Sequence, residues 1–234
     1  MSFKKNLNKS IEHLSTILLE RGLNVNLIDF TKFQELVLFI FKLDDAFDKN
    51  LSESTQSKTI LINQLKTKLV NYKQTLRELD KHIDYRNKES NQEEIRTPNE
   101  YLTVTGVTIG THLFAAFLVD TFKLNSSLWM SDQIQKYQTE TNQILRLSND
   151  LLDFSEDKLR LKNEKHQTKI SSFIKSSFQI KLLILLKYLK HKAKYFFYRL
   201  FNKNTDLKAI IIVIESVFDW GYYEMYLNKN SGRN

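Results

Sequence analysis

Residues 44–48 read Asp-Asp-Ala-Phe-Asp, and residues 149–157 read Asn-Asp-Leu-Leu-Asp-Phe-Ser-Glu-Asp. Each of these acidic clusters ends a run of apolar residues at helical spacing. Side chains four residues apart share one face of a helix, so each cluster would project a ladder of oxygen atoms from a helix end. Oxygen ligands suit hard divalent cations, above all Mg²⁺. The two clusters therefore predict two helices whose ends meet at one magnesium site.

The first cluster continues the apolar face of its helix. Residues 27–49 carry apolar side chains at helical spacing, among them Phe33 and Phe41. Asp44 and Asp48 extend this stripe or lie next to it, whereas a solvated run of charges would lie on the opposite face. We predict that the stripe lines a cavity and that the two carboxylates stand at its mouth.

The second cluster supplies a similar ladder. Asn149, Asp153 and Asp157 recur every four residues at the end of a helix predicted over residues 126–158. The amide oxygen of Asn149 is a neutral ligand, so this rim carries less negative charge than three carboxylates would. An apolar bundle with two such rims indicates diphosphate chemistry on an apolar substrate.

Composition and periodicity predict an all-α protein with a single domain over residues 1–234. The chain has only 5 Gly and 1 Pro, which permits long helices, and it has no Cys, which excludes disulfides and thiolate metal sites. No phosphate-binding or dinucleotide-binding glycine motif occurs. Helices are predicted over residues 3–21, 27–49, 58–85, 98–122, 126–158, 169–201 and 205–227.

The segments between these helices carry their own signals. Residues 51–57 and 86–96 are predicted as polar connectors, the helix between them as mostly exposed, and the second connector as mobile. Residues 97–100, Thr-Pro-Asn-Glu, form a capping box with a proline start. Residues 103–110, Thr-Val-Thr-Gly-Val-Thr-Ile-Gly, are poor helix formers. Two interpretations stay open there: close helix packing at the glycines, or a local break whose freed carbonyls face a ligand.

The net charge and the N-terminal sequence indicate which partners and which location to expect. The net charge of +8 fits solvated lysine faces, and it also fits positive charge near a diphosphate ligand. The basic residues are scattered without a nucleic-acid-binding signature, so we expect no nucleic-acid partner. Residues 1–14 lack the apolar core of a signal peptide, and lysines interrupt the apolar run at 169–201. We expect a cytoplasmic protein without a transmembrane segment.

These segments together resemble class I terpene synthases over roughly residues 30–160. Residues 44–48 match the family's aspartate-rich motif, and residues 149–157 resemble its second motif, N-D-x-x-S/T-x-x-x-E. Residues 146–150, Arg-Leu-Ser-Asn-Asp, match a run whose arginine contacts diphosphate in the family, and residues 100–110 resemble its E-Y-L…S-I-G segment. The resemblance implies an antiparallel helical bundle of the class I terpenoid synthase type, as a monomer or homodimer.

The resemblance also implies an activity and a site. A lyase of this family would ionise a linear prenyl diphosphate, farnesyl or geranylgeranyl, and convert the carbocation into a terpene hydrocarbon or alcohol. Three Mg²⁺ ions, with Mn²⁺ as a substitute, would be held by the catalytic ligands Asp44, Asp48, Asn149, Asp153 and Asp157. The residues expected to bind diphosphate are Arg146 and Lys158. The candidates for the cavity lining are Phe33, Phe41, Phe114, Phe117, Trp220 and Tyr223.

Departures from the family pattern leave alternatives open. Asp153 and Asp157 replace the usual Ser/Thr and Glu, and no arginine lies between Pro98 and Gly110. The C-terminal Arg-Tyr pair is absent, and only 43 residues precede Asp44, which indicates a short N-terminus. The first alternative is a chain-elongating prenyl diphosphate synthase. The others are a non-catalytic helical protein on the same scaffold and, more weakly, a helix that binds membrane surfaces.

Overall fold

A computed structural model of the chain describes residues 2–48, 52–90, 97–160 and 177–223. These residues form ten α-helices, one 3₁₀ helix and no strand, which confirms the all-α class. The 3₁₀ helix spans Val25–Leu27. The α-helices are α1 (Ser2–Glu20), α2 (Phe30–Asp48), α3 (Ser52–Lys68), α4 (Lys73–Ser90), α5 (Pro98–Thr108), α6 (Thr111–Thr121), α7 (Ser126–Trp129), α8 (Asp132–Arg160), α9 (Ser177–Phe201) and α10 (Thr205–Tyr222).

Four predictions of where helices begin, end or continue are wrong. Residues 52–57, predicted as a connector, begin α3, and the helix predicted over 58–85 is interrupted at residues 69–72. Residues 86–90, also predicted as a connector, form the last turn of α4, while residues 91–96 lie outside the described ranges. The helix predicted over 126–158 is divided into α7 and α8.

The prediction that α4 is mostly exposed is also wrong. Its inner face carries the buried residues Thr75, Glu78, Leu79 and His82. Most of these side chains are polar, so hydrophobic periodicity does not reveal the buried face. Polar residues are tolerated in this position when they find partners, as Glu78 does by accepting a hydrogen bond from Nε1 of Trp129 at 2.9 Å.

The threonine-glycine run, for which two interpretations stayed open, contains both a break and close packing, and the helix predicted over 98–122 is divided into α5 and α6. α5 and α6 are bent by 50° relative to each other. Between them Gly110 has φ of +80°, a conformation that glycine adopts at little cost. Close packing occurs in the same run, because a Cβ atom on Gly106 would lie 3.5 Å from the backbone nitrogen of Gln143 on α8. The capping box is also confirmed: the Thr97 hydroxyl accepts from the Glu100 N–H, and the Glu100 carboxylate accepts from the Thr97 N–H.

The interior of the bundle contains two apolar clusters. The larger one joins α1, α2, α6 and α10, and the smaller one joins α5, the second half of α8, the start of α9 and Phe218 of α10. Along α8 the two clusters are separated by the buried polar residues Gln138, Thr141 and Asn142. The hydroxyl of Thr111 donates to the side-chain oxygen of Asn142 at 2.7 Å, which links the start of α6 to this polar layer.

A set of buried and half-buried polar and charged side chains connects the turn after α1 with α8, α9 and α10. We call it the fastening network: Arg21, Tyr137, His191, Lys192, Glu215 and Asp219. The Glu215 carboxylate accepts hydrogen bonds from the Tyr137 hydroxyl at 2.8 Å and from Lys192 at 2.7 Å, and it contacts His191. Lys192 also contacts Asp219, which pairs with Arg21. Two carboxylates thus face two permanent cations.

Among the described residues, one bent pair of helices has the length and composition of a membrane-spanning segment. No single helix within the described ranges is long and apolar enough to cross a bilayer. α5 and α6 together meet the criteria of length and composition. The residues of α6 from Thr111 to Val119 are all buried in the protein.

Candidate functional site

The candidate site begins at the end of α2, where α4 holds Asp44. The Asp44 side chain is 30% exposed, and its Oδ1 lies 3.3 Å from Nε of Arg86 and 3.5 Å from Nε2 of His82. Arg86 also donates through Nη2 to the backbone carbonyl of Asp44 at 3.3 Å. Both partners come from α4, so this polar helix positions the first acidic cluster.

The contacts continue from α4 to the second acidic cluster. Arg86 donates to Glu89 at 2.8 Å, and the other Glu89 oxygen lies 3.9 Å from Nη1 of Arg146 on α8. Nε of Arg146 lies 2.9 Å from Oδ1 of Asp150. A line of alternating charges therefore joins the helix ends that carry the two acidic clusters. We call it the site network: Asp44, Arg86, Glu89, Tyr101, Arg146 and Asp150.

Hydrogen bonds among Tyr101, Arg146 and Asp150 hold the α8 end of the site network in place. The Tyr101 hydroxyl lies 3.1 Å from both oxygens of the buried Asp150, and it accepts hydrogen bonds from Arg146 at 3.0 and 3.2 Å. Burial, with the nearby Asp150, raises the pKa of Tyr101 above its ordinary value. Burial alone would lower the pKa of Arg146. The nearby Asp150, Tyr101 and Glu89 together have the larger, opposite effect, so the pKa lies above its ordinary value. Arg146 thus stays a cation and Tyr101 a neutral hydroxyl at any ordinary pH.

The predicted ligands fall partly outside the part of the structure that can be described. Asn149 is half-buried on α8 beside Asp150. Asp48 is the last residue of α2, and Asp153, Asp157 and Lys158 lie in the last turns of α8, but their side chains are not among those described. Among the described residues no three His, Cys, Asp or Glu side chains form a metal-binding group. The ligand set stays a prediction.

The predicted lining residues divide into a buried and an exposed group. The rings of Phe33, Phe114, Phe117 and Trp220 pack together in the larger apolar cluster, with centroids 5.7–6.0 Å apart in four of their pairs. Phe41 and Tyr223 are 50% and 39% exposed, and the Tyr223 ring lies against His13. The role of these six residues as a cavity lining also stays a prediction.

Sequence analysis did not select His82, Arg86 or Glu89. Their spacing continues the inner face of α4, and that polar helical periodicity is the signal that could have revealed them. His82 also connects the site to the bend. A Cβ atom on Gly110 would lie 3.9 Å from Cε1 of His82 and 3.3 Å from the side chain of Ile40, one turn before Asp44. The bend therefore lies beside the first acidic cluster, as the interpretation of a ligand-facing break requires.

The charges of the site network fit a bound cation. Three carboxylates, those of Asp44, Glu89 and Asp150, face two guanidinium groups. Oδ1 of Asp44 is buried and accepts no hydrogen bond of good geometry from the described residues. Oδ1 is paired with the Arg86 guanidinium but has no hydrogen bond of good geometry among the described residues, and a carboxylate oxygen in this state suits a hard divalent ion.

Comparison with known proteins supports this interpretation. Residues 63–174 match the family model described as terpene synthase family 2, C-terminal metal binding. The match contains helices α4 to α8 with the second acidic cluster, while the first cluster at residues 44–48 lies outside it. No curated protein and no solved structure is significantly similar to the chain. The match over residues 63–174 makes this part of the chain similar to the metal-binding domain of terpene synthases and supports a place in a terpene synthase family.

Proposed function

We propose that the protein is a magnesium-dependent terpene synthase. It would ionise a linear prenyl diphosphate, farnesyl or geranylgeranyl, and convert the carbocation into a terpene hydrocarbon or alcohol with release of diphosphate. The family match supports terpene synthase activity in general. The observation that carries the finer proposal is the site network, which joins the two helix ends that bear the acidic clusters.

Divalent metal would complete the charge balance of this site. Bound Mg²⁺ supplies positive charge that neutralises the leaving diphosphate and so favours ionisation. Mn²⁺ is the substitute, and three ions are expected from the resemblance. The residues that would hold them are Asp44, Asp48, Asn149, Asp153 and Asp157.

Two arginines of the chain would bind the diphosphate. Asp150 and Tyr101 fix one edge of the Arg146 guanidinium, while among the described residues its Nη1 makes the long contact to Glu89 alone. An oriented guanidinium suits bidentate contact with phosphate oxygens. Arg86 brings a second guanidinium to the same region. It could serve in place of the arginine that the chain lacks in α5, and Lys158 would add a third cation.

The remaining chemistry needs a dry apolar surface. Aromatic ring faces stabilise a nearby cation by about 0.5–2 kcal/mol each. Exclusion of water prevents premature quenching of the carbocation. Phe33, Phe114, Phe117 and Trp220 supply the buried rings, and substrate would enter next to them from the end of α2.

The test is product analysis with a matched pair of variants. The full chain is incubated with geranyl, farnesyl or geranylgeranyl diphosphate, with Mg²⁺ or with a chelator, and products are read by gas chromatography and mass spectrometry. We expect a metal-dependent hydrocarbon or alcohol. Asp44→Asn should lower its rate on the order of a thousandfold, as loss of transition-state charge stabilisation does elsewhere. The control is Asp84→Asn, an exposed carboxylate of α4 that pairs only with Lys88 among described residues, and it should keep full activity.

Other results would redirect the proposal. A longer prenyl diphosphate, formed when isopentenyl diphosphate is added, would identify chain elongation instead. Absence of any product from a chain with the expected helical circular dichroism would point to a non-catalytic protein on this scaffold. Equal activity of Asp44→Asn and the unmodified chain would refute the site.

A further inference from the structure

The outer face of α9 is an exposed apolar stripe. Its side chains share one face of the helix over about five turns, a length of about 27 Å. Each is between 45% and 60% exposed. The residues that define the stripe are Leu182, Leu185, Leu189, Phe196, Phe197 and Leu200.

The opposite face of α9 packs against the bundle. Ile180, Ile184 and His191 are buried. Lys187 donates to Gln143 of α8 at 3.0 Å, and Lys192 donates to Glu215 of α10 at 2.7 Å. The helix is thus oriented by specific contacts, and the exposure of the stripe is a consequence of that orientation.

Basic residues lie on both sides of the stripe. At 100° per residue, Lys181 and Arg199 fall on one flank and Lys190 on the other. All three are exposed, and none forms an ion pair with a described residue. The sequence of α9 contains no Asp or Glu in 25 residues. The face is therefore apolar along its centre and positive along both edges.

We propose that this face of α9 binds the surface of an anionic lipid bilayer. The apolar stripe would enter the boundary between headgroups and acyl chains, and the flanking cations would contact anionic headgroups. A second copy of the chain fits this face less well, because it would bring two rows of cations together. The inference goes beyond the proposed function, and its test needs no turnover.

Vesicle binding of the full chain tests the inference. The protein is sedimented with phosphatidylcholine vesicles that contain or lack phosphatidylserine, at low and high salt. We expect binding to the anionic vesicles that weakens with salt, and little binding to the neutral ones. Lys181→Gln/Lys190→Gln/Arg199→Gln should lower the partition coefficient on the order of a hundredfold, since each basic residue near an anionic surface contributes about a factor of five.

Matched controls separate this face from the total charge of the protein. Lys9→Gln/Lys73→Gln/Arg77→Gln removes the same charges from exposed positions on α1 and α4, and it should bind much as the unmodified chain does. Equal loss in both triple variants would contradict the proposal.

The apolar part is tested with Leu182→Ser/Leu189→Ser/Phe196→Ser, whose exposed positions should leave the fold intact. We expect at least tenfold weaker vesicle binding from this variant. If it binds vesicles normally, the stripe does not contact lipid. If the unmodified chain binds no vesicles and forms a dimer that this variant abolishes, the face is a self-interface and the proposal fails.

Discussion

The site network and the fastening network use the same chemistry with a different charge balance. Each centres on a buried carboxylate, Asp150 or Glu215, that accepts a hydrogen bond from a tyrosine, Tyr101 or Tyr137, and pairs with a cation. In the fastening network two carboxylates face two permanent cations. In the site network three carboxylates face two.

This difference separates a structural from a binding role. When carboxylates and cations are equal in number, each charge can pair with an opposite one, and the pairs hold the helices in register. A set in which carboxylates outnumber guanidinium groups, at the ends of two acidic helices, would be stabilised by an added cation. The charge count therefore distinguishes the two networks, although their residue types are almost the same.

Removing the central cation from each network should have the largest effect. Arg146→Met removes the guanidinium that pairs with the buried Asp150 and should cost about 3–5 kcal/mol of unfolding free energy. Lys192→Met should cost less, about 1–2 kcal/mol, because Lys192 is 26% exposed and Glu215 keeps His191 and Tyr137. Urea unfolding of the two variants measures both values. Equal costs would remove the basis for treating the networks as different.

Acid should weaken the fastening network in a defined range. Burial alone would raise the pKa of Glu215. His191 and Lys192 have the larger, opposite effect and lower the pKa from an ordinary 4.5 to about 2. Because the pKa is lowered in the folded state, the stabilisation is complete above pH 4.5 and is lost as pH falls through about 2. The expected loss is about 3 kcal/mol. Glu215→Gln should lack this part of the pH dependence, so the two unfolding curves should converge at low pH.

Divalent metal should stabilise the site network alone. A ligand at a hundred times its Kd adds about 3 kcal/mol to the unfolding free energy. Mg²⁺ should therefore raise the melting temperature of the unmodified chain, and Asp44→Asn should abolish the increase. Asp219→Asn, which changes a carboxylate of the fastening network, serves as the control and should retain it. A shift of the same size in Asp44→Asn would place the metal elsewhere.

Replacement of the two tyrosines should change the stability least, and it separates an effect on stability from an effect on activity. Tyr101→Phe and Tyr137→Phe each remove one hydrogen bond to a buried carboxylate and should each cost about 1–2 kcal/mol. Their effects on product formation should differ, since only Tyr101 orients an arginine of the proposed site. Thermal unfolding gives the first quantity and the product assay gives the second. Similar activity losses in both variants would indicate that the effect comes from stability.

The sequence predicted the elements whose signals are local or apolar. The capping box at Thr97, the break near Gly110 and the helices with apolar stripes follow from turn chemistry, propensity and periodicity. It did not predict the role of α4, because the inner face of that helix is polar and its partners lie on helices distant in sequence. His82, Arg86 and Glu89 become candidates only when α2 and α8 are placed beside them.

The candidate site was predictable only in part for a related reason. Two acidic clusters identify the helix ends that matter, and Asp44 indeed lies in one network with Arg146. The spacing of four residues allows the pairing of Arg146 with Asp150 to be predicted, but it does not reveal that Tyr101 contacts both side chains. This engagement of Tyr101 depends on tertiary contacts between α5 and α8, which sequence periodicity does not specify.

The bend at Gly110 has a consequence for how the protein opens. α5 belongs to the smaller apolar cluster and α6 to the larger one, so the bend marks the boundary between two packing units. Units of this kind open with separate free energies in native-state hydrogen exchange. Amides of α5 and α6 should therefore lose protection in different steps, although only Ile109 and Gly110 separate the two helices. The acidic helix ends lie at this boundary, where a small shift of one unit changes the distance between the rims.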